Sequence, residues 1–428
     1  MKDTQLETIV EAVIKQIQGR AGETTSFASQ PAPMAARAAG SRASNMTIAV
    51  LGGGNGGLAM GGHLSLLGNK VRIFSFFQRE LDTIEAAGGV EIIGKEVSGK
   101  AKLEVHRHLD SVVKGADLIM IVSPALTHAT YACLLAGLLE DGQIVVLNPG
   151  RTGGALQFAQ DLQRYALRKR IYLAEAQTFM YAAEMRAPGK VEILKEKFKM
   201  RVAALPASDN QHVIPALQQI YPQIEAAQNV LETSLNNVGP INHVPPMLLN
   251  TATIEHAVET GGENMRFYTD MINPTVCNMI MEKMDVEKCN LGRKLGLDVW
   301  TVIDWYRESY HVTGNSMYEI YQTNPHIAGF SAPKHILAYN NVLDEIPDSL
   351  VPMSYFGKVL GVPTPTIDVI VELGKTMTGI DFWKVGRTLD KLGLDGMSPE
   401  QMLEYVERQP LLGACGVSGV CRTLPQFA

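Results

Sequence analysis

Three glycines, Gly52, Gly54 and Gly57, stand in the spacing G-x-G-x-x-G within TIAVLGGGNGGLAMGGHLSLLGNKVRIFS, residues 47–75. Thr47 to Leu51 ahead of them is a short apolar run suited to a buried parallel strand. After such a strand the spacing points to binding of a dinucleotide pyrophosphate. Gly52 permits the tight turn, Gly54 lets backbone approach the pyrophosphate without a Cβ in the way, and Gly57 lets the next helix sit close to the sheet. Free N–H groups from Asn55 onward, at the helix start, then face the phosphates.

The second strand, Lys70 to Phe74, ends at Ser75, where an acid would accept the ribose 2′-hydroxyl and repel a 2′-phosphate. Neither Ser75 nor Phe76, Phe77, Gln78 and Arg79 is acidic, and Arg79 can pair with a phosphate unless it merely opens a solvated helix. NADP is therefore expected in preference to NAD. Ala116 to Val122 is a further strand running into Ser123-Pro124, where a cofactor passes over the strand ends.

The elements that must position these residues alternate along the chain. Gln143 to Leu147 is another strand, and strands at Ile171–Leu173, Val191–Leu194 and Met200–Leu205, with helices between them, are expected to complete an α/β Rossmann-type doubly wound sheet over residues 46–237. Strand signals then fade. Helical patterns over roughly Pro245–Val258, Thr275–Leu295, Val299–Tyr306, Val351–Leu360, Pro365–Thr376 and Asp381–Leu392 predict a mostly α-helical C-terminal domain over 238–428. A site is expected in the cleft between the two.

The 428 residues leave room for two ordinary domains, and the net charge of −6 is spread without a basic run that could track nucleic acid. No apolar run reaches about 18 residues, so no membrane span is expected. The five cysteines, Cys133, Cys277, Cys289, Cys415 and Cys421, lack C-x-x-C spacing and are odd in number, which favours a reducing cytoplasm and predicts no metal site.

Residues 1–18 place Leu6, Ile9, Val10, Val13, Ile14 and Ile17 on one face of an amphipathic helix, and the Ala/Ser/Gly/Pro-rich stretch 19–45 reads as a flexible linker. Asp3, Glu7 and Glu11 argue against a mitochondrial presequence. One short helix is marginal alone in water, so it must dock on its own body, on a second copy or on another protein. The arrangement resembles the N-terminal encapsulation peptides that send enzymes into bacterial microcompartments, which implies a shell or cargo partner; a homodimer is also expected.

LETSLNNVGPINHVPPMLLN at 231–250 resembles the opine dehydrogenase family, in which an Asn-Asn-Val run leads to a His-Pro-Pro-like stretch opening the helical domain. The likeness extends over 46–395 and includes LNPGRTGG at 147–154, LPA at 205–207, PTPTIDVIVEL at 363–373 and GRTLDKLGL at 386–394. It implies hydride transfer between a nicotinamide cofactor and a C=N bond formed from an amine and an oxo compound. By position His243 takes the acid/base role, a role suited to a side chain that ordinarily titrates near neutrality. Other histidines, such as His63 and His128, are read as packing or helix-end residues.

The carboxylate that polarises the histidine is implied to come from NNVLDEIP at 340–347, with Asp344 and Glu345 as candidates. The family's substrate-clamping arginine falls on Asn340, which cannot make its bidentate pair. Either Lys334, Arg151 or Arg186 supplies that charge, or the oxo substrate is an aldehyde or ketone without a carboxylate. Asn148, Arg151 and Thr152, after a strand end, are expected to line the cleft. Two other readings use the same residues. One is an alcohol or 2-hydroxyacid dehydrogenase acting without an amine, the other a non-catalytic dinucleotide-binding cargo protein.

Overall fold

The computed structural model describes residues 45–260, 265–333 and 340–408. The amphipathic N-terminal stretch, Lys334, Cys415 and Cys421 lie outside the described residues, as does the side chain of Asn340.

The first half contains β1 (Thr47–Leu51), α1 (Asn55–Leu66), β2 (Lys70–Phe74), α2 (Gln78–Ala86), β3 (Val90–Gly94), β4 (Gly99–Ala101), β5 (Glu104–Val105), β6 (Leu118–Ile121), β7 (Ile144–Leu147), α3 (Gly154–Arg164), β8 (Tyr172–Ala176), β9 (Tyr181–Ala187), β10 (Lys190–Glu196), β11 (Met200–Leu205) and β12 (Ile224–Ala226). Eight strands form one sheet in the order β12-β11-β8-β7-β6-β1-β2-β5. From β8 to β5 they run parallel, and β11 returns antiparallel. The central strands are buried on both faces, hence their continuous apolar runs.

Register sets where chemistry can occur. Phe74, Leu51, Ile121, Leu147 and Glu175 lie side by side as the last paired row of β2, β1, β6, β7 and β8. The loops leaving that row, which begin at Ser75, Gly52, Val122, Asn148 and Gln177, therefore share one edge of the sheet. The chain order reverses between β1 and β6, the crevice in which open α/β sheets bind ligands.

One expectation about this sheet is corrected. Val191–Leu194 belongs to β10, which pairs with β9 and β3 in a separate four-stranded sheet of order β4-β3-β10-β9, and a hairpin rather than a helix joins β9 to β10. The small sheet covers the outer face of α1. That helix is therefore buried on all sides from Gly57 to Leu64, and His63 is a packing residue with its Nδ1 2.8 Å from the Tyr181 hydroxyl.

Beyond β12 the described residues are helical. The elements that matter below are α4 (Val230–Leu235), α5 (Gly239–Leu249), α6 (Thr251–Glu259), α7 (Glu282–Lys294), α8 (Val302–Tyr310), α9 (Asn340–Glu345), α10 (Val351–Leu360) and α11 (Pro365–Thr378). Asn229 caps α4, its side-chain oxygen accepting from Leu231 N and Glu232 N at 3.0 and 3.3 Å. The helix expected from Pro245 starts at Gly239 instead and carries Pro245 and Pro246 inside it. Asn250 ends α5, its side chain donating to the Pro246 and Met271 carbonyls at 2.8 Å. The helix expected over Asp381–Leu392 shrinks to one turn, Phe382–Val385.

Lys197 joins the small-sheet side of the molecule to α8. Its ammonium donates to the Phe179 carbonyl and lies 5.6 and 5.5 Å from the rings of Trp305 and Tyr310. Burial pushes it down to about 7. The unfolded chain binds the extra proton above that value, so this lysine lowers stability most below pH 7, and the cost fades as pH rises toward about 10.5. Lys197→Met is expected to raise the thermal midpoint at pH 6.5 and to raise it less at pH 9.5. Equal shifts at both pH values would remove the charge argument.

Candidate active site

The glycine turn follows the physical demands of its three positions. Gly52 has φ +139°, and a Cβ there would lie 2.0 Å from the Val122 carbonyl oxygen. At Gly57 a Cβ would meet the Gly52 oxygen at 1.8 Å, so the close approach is to the turn itself rather than to the sheet. At Gly54 it would meet only the Glu80 carboxylate, at 3.7 Å. Little in the protein demands a glycine at that position, which is what a backbone segment reserved for an approaching ligand needs. Asn55 opens α1 with its side chain donating to the Ala183 carbonyl at 2.8 Å, so only its backbone N–H faces the turn's open side as the sequence expectation requires. Ser123 Oγ accepts from Thr127 Oγ1 at 2.9 Å, and the Pro124 carbonyl from Thr127 N at 3.0 Å, in the loop after β6.

The expectation of a 2′-phosphate at Ser75 and Arg79 meets a different arrangement. Ser75 Oγ donates to Glu80, one residue past the stretch without acids, and Glu80 also accepts from the Gly53 N–H. Arg79 is exposed. An acid thus occupies the end of β2 after all, brought back by the first turn of α2.

His243 on α5 faces the end of α9. Its Nδ1 lies 2.7 Å from Glu345 Oε1 and its Nε2 lies 3.0 Å from the Tyr268 hydroxyl. Asp344 points elsewhere, accepting from the Leu126 backbone N–H at 3.1 Å in the loop after β6. Arg151, in the loop after β7, spans both acids. Its Nε donates to Asp344 Oδ2 at 3.0 Å and its Nη1 to Glu345 Oε1 at 2.8 Å. His243 has 23% of its side chain exposed against 0% for Glu345, so the imidazole is the member of this pair that solvent or a substrate can reach.

Charge balance explains the titration of the group. Burial opposes ionisation of Glu345, but Arg151 and His243 together hold it below the ordinary carboxylate range. Burial wins at Asp344 and raises it despite Arg151, and it pushes Asp348 up to about 6. One buried guanidinium therefore keeps the carboxylate at the imidazole ionised while a neighbouring acid holds its proton more tightly.

The loop carrying Arg151 is held from behind. Arg151 sits at φ 64°, a left-handed conformation that a non-glycine residue keeps only when its surroundings insist. Arg387, 1% exposed, donates to the carbonyls of Gly150 and Thr152 at 3.0 Å and pairs with Asp348 at 3.2 Å. Glu175 at the end of β8 accepts from Ala155 N at 2.7 Å and from the hydroxyls of Thr233 and Ser234 at 2.7 and 2.9 Å, tying α3 to α4. Neither Arg387 nor Glu175 was singled out from the sequence; Arg387 lies in GRTLDKLGL, whose length of likeness was the available signal.

Two residues expected to line the cleft turn inward. Asn148 donates to the Val146 carbonyl at 2.9 Å, and Thr152 is fully buried with its hydroxyl toward the Ser234 carbonyl at 3.3 Å. A peptide leaving a buried parallel strand must satisfy its own polar groups first. Arg186 is ion-paired with Glu184 and Glu192 on β9 and β10. Among the described residues no group of three or more His, Cys, Asp or Glu side chains can hold a metal.

Gly239 is a site residue that spacing alone does not reveal. A Cβ there would lie 2.7 Å from Glu345 Oε2 and 2.8 Å from Arg151 Nη1. Gly239→Ala is expected to keep the fold and cut turnover at least about tenfold, since a displacement near 1 Å in a positioned group costs up to about a hundredfold. Turnover within twofold of the parent would show that the carboxylate tolerates the shift.

Comparison with known proteins bears on the same residues. Residues 226–378 match the family described as NAD/NADP octopine/nopaline dehydrogenase, alpha-helical domain, and residues 47–162 match the NAD-dependent glycerol-3-phosphate dehydrogenase N-terminus. An opine dehydrogenase of Arthrobacter sp. (strain 1C) is 34% identical over 362 residues, covering 84% of this chain and 99% of its own. The chain belongs to the opine dehydrogenase family. It is accordingly an NAD(P)-dependent dehydrogenase acting on a CH–NH bond, built as a Rossmann-type domain followed by a helical one. The Agrobacterium tumefaciens (strain Ach5) protein ocs is 23% identical, over 82% of this chain and 96% of its own. The fold agrees with a solved octopine dehydrogenase holding NADH and L-arginine, at TM-score 0.65 and 20% identity, covering 83% of this chain and 97% of that one. It agrees also with a yersinopine dehydrogenase holding NADP+, at TM-score 0.61 and 12% identity, covering 85% and 98%.

Proposed function

We propose that this opine dehydrogenase reduces an imine formed between an amine, most simply an amino acid, and an oxo compound, with His243 as acid/base and Glu345 as the carboxylate that orients it. The observation that carries the reading is the 2.7 Å contact between His243 Nδ1 and a carboxylate that is itself fully buried and held by Arg151. A proton on Nδ1 directed at Glu345 leaves Nε2 as the atom that exchanges a proton with substrate, on the side where the Tyr268 hydroxyl stands 3.0 Å away. Asp344 serves a different purpose, fixing the Arg151 loop to the loop after β6.

The backbone of Gly52 to Gly57 and the start of α1 would hold the pyrophosphate, and Ser123 and Pro124, at the same edge of the sheet, would bind the rest of the dinucleotide. The space left at Gly54 fits that assignment. The nicotinamide, when bound, supplies or accepts the hydride. The chain's own residues position the C=N carbon against it, exclude water and manage the proton at Nε2.

Arg151 is engaged by two acids and Arg186 by two others, so neither is disposed to clamp a substrate carboxylate in place of the arginine missing at Asn340. That leaves Lys334, which lies outside the described residues, or a second reading in which the oxo substrate is an aldehyde or ketone. The test crosses a panel of amines with keto acids and with simple aldehydes, following oxidation of NADH and NADPH. Turnover that requires both amine and keto acid upholds opine formation. Turnover with an aldehyde or ketone alone would move the enzyme to alcohol dehydrogenase chemistry.

Residues 1–18 are proposed to bind a microcompartment shell or cargo protein through their apolar face, with 19–45 as tether. A cytoplasmic homodimer, inside such a compartment where one is made, is the setting this implies. The support is the stripe Leu6, Ile9, Val10, Val13, Ile14 and Ile17 followed by a Pro/Ala/Ser-rich stretch. No helix among the described residues is long and apolar enough to cross a membrane.

A further inference from the structure

We infer that Glu80 is the residue that chooses between the two cofactors, favouring NADH by accepting the adenosine ribose hydroxyls and repelling a 2′-phosphate. The inference rests on the glycine turn as the dinucleotide site and concerns a residue outside the strand end where such an acid is ordinarily sought.

Two contacts fix the carboxylate over the turn, and a third orients the first of them. Ser75 Oγ donates to Glu80 Oε2 at 2.5 Å, the Gly53 N–H donates to the same carboxylate, and Phe77 N donates to Ser75 Oγ at 3.1 Å, which turns the hydroxyl toward the acid. A Cβ on Gly53 would lie 2.6 Å from Glu80 Oε2, and one on Gly54 would lie 3.7 Å from Oε1. Oε2 is engaged by Ser75, and Oε1 is the oxygen nearest the space that Gly54 keeps open.

An ionised carboxylate only accepts hydrogen bonds. A ribose with a free 2′-hydroxyl can donate to Oε1, as in dinucleotide-binding turns that end in an acid. A 2′-phosphate has no hydroxyl to give at that position and brings close to two negative charges against a partly buried one. Arg79 is the only cation within the stretch Ser75 to Glu80, and it is exposed, where solvent and salt weaken its pull on a phosphate. The contact at the turn outweighs the charge at the surface. Glu80 also stands in the first turn of α2, where an acid favours the helix end whatever the cofactor does, so the test must separate the two roles.

Binding of NADH, NADPH and 2′-deoxy-NADH to the full-length protein is measured by calorimetry without substrate, for the parent and for Glu80→Gln, which keeps the shape and removes the charge. The parent is expected to bind NADH at least about tenfold more tightly than NADPH, a gap of about 1.4 kcal/mol. In Glu80→Gln that ratio should fall about tenfold, chiefly through tighter NADPH, and the parent's preference for NADH over the 2′-deoxy analogue should shrink with it. A parent that binds NADPH as tightly as NADH, or a variant in which all three ligands weaken equally, would overturn the inference and leave Glu80 as a helix-end acid. Failure of every dinucleotide to bind the parent would overturn the reading of the glycine turn as well.

Discussion

Replacing His243 with alanine is expected to lower turnover by about 10²–10⁴-fold, the range attributed to one positioned acid/base, while binding of the dinucleotide is unchanged. The separation follows from geometry. The imidazole contacts Glu345 and Tyr268 in the helical half, whereas the glycine turn lies after β1 in the other half. The side chain is partly exposed and its loss leaves Glu345 still paired with Arg151, so the variant should melt close to the parent temperature. Calorimetric binding of NADH beside steady-state rates decides it. Rates within threefold of the parent, with cofactor still bound, would assign proton transfer to another group.

Arg151→Met is expected to act on stability before it acts on chemistry. Asp344 and Glu345 have 1% and 0% of their side chains exposed, and Arg151 donates to both. Removing one partner of a buried ion cluster strands the remaining charges, at a cost of about 3–5 kcal/mol, with the neutral pH denaturant midpoint falling to match. Without the guanidinium, Glu345 rises above its unfolded value and Asp344, already raised, rises further, so the penalty is present above the new folded pKa and disappears below the unfolded one. The deficit relative to the parent should therefore be larger at pH 7.5 than at pH 5. Arg151→Lys keeps the charge but not the two-acid fork, and should recover stability in part while leaving Glu345 poorly placed. An unchanged midpoint at pH 7.5 in Arg151→Met would mean that the two acids share a proton rather than depend on the arginine.

Parts of this arrangement are legible locally. The strand-turn-helix over 47–66 is carried by a continuous apolar run, by Gly52 at a φ that suits only glycine and by the close approach at Gly57, and α10 falls on the stretch Val351–Leu360 that its periodicity predicts. The pairing of strands is not local. Val191–Leu194 reads like any buried strand, and only the hairpin with β9 and the apolar outer face of α1 assign it to the small sheet. Prolines 245 and 246 suggested a helix start, yet they sit inside α5, whose first turn is instead shaped by Gly239 and Pro240.

The site divides in the same way. Types and spacing in the chain alone point to a dinucleotide turn, and the resemblance adds a histidine beside an Asn-Asn-Val-Gly run and an Asp-Glu pair a hundred residues on, because those are properties of neighbouring residues. Which acid meets the imidazole is decided in space. At the end of α9 successive side chains leave in different directions, so Glu345 turns to His243 while Asp344 turns to Leu126 N in the other half of the molecule. Glu80 reaches the glycine turn only because α2 begins by folding back over it, and Arg387 supports the Arg151 loop from 236 positions away, counted as 387 less 151. Sequence spacing determines which chemical groups are available; packing between elements distant in the chain determines which of them meet, since a carboxylate's partner is set by the few ångströms around it and not by its place in the chain.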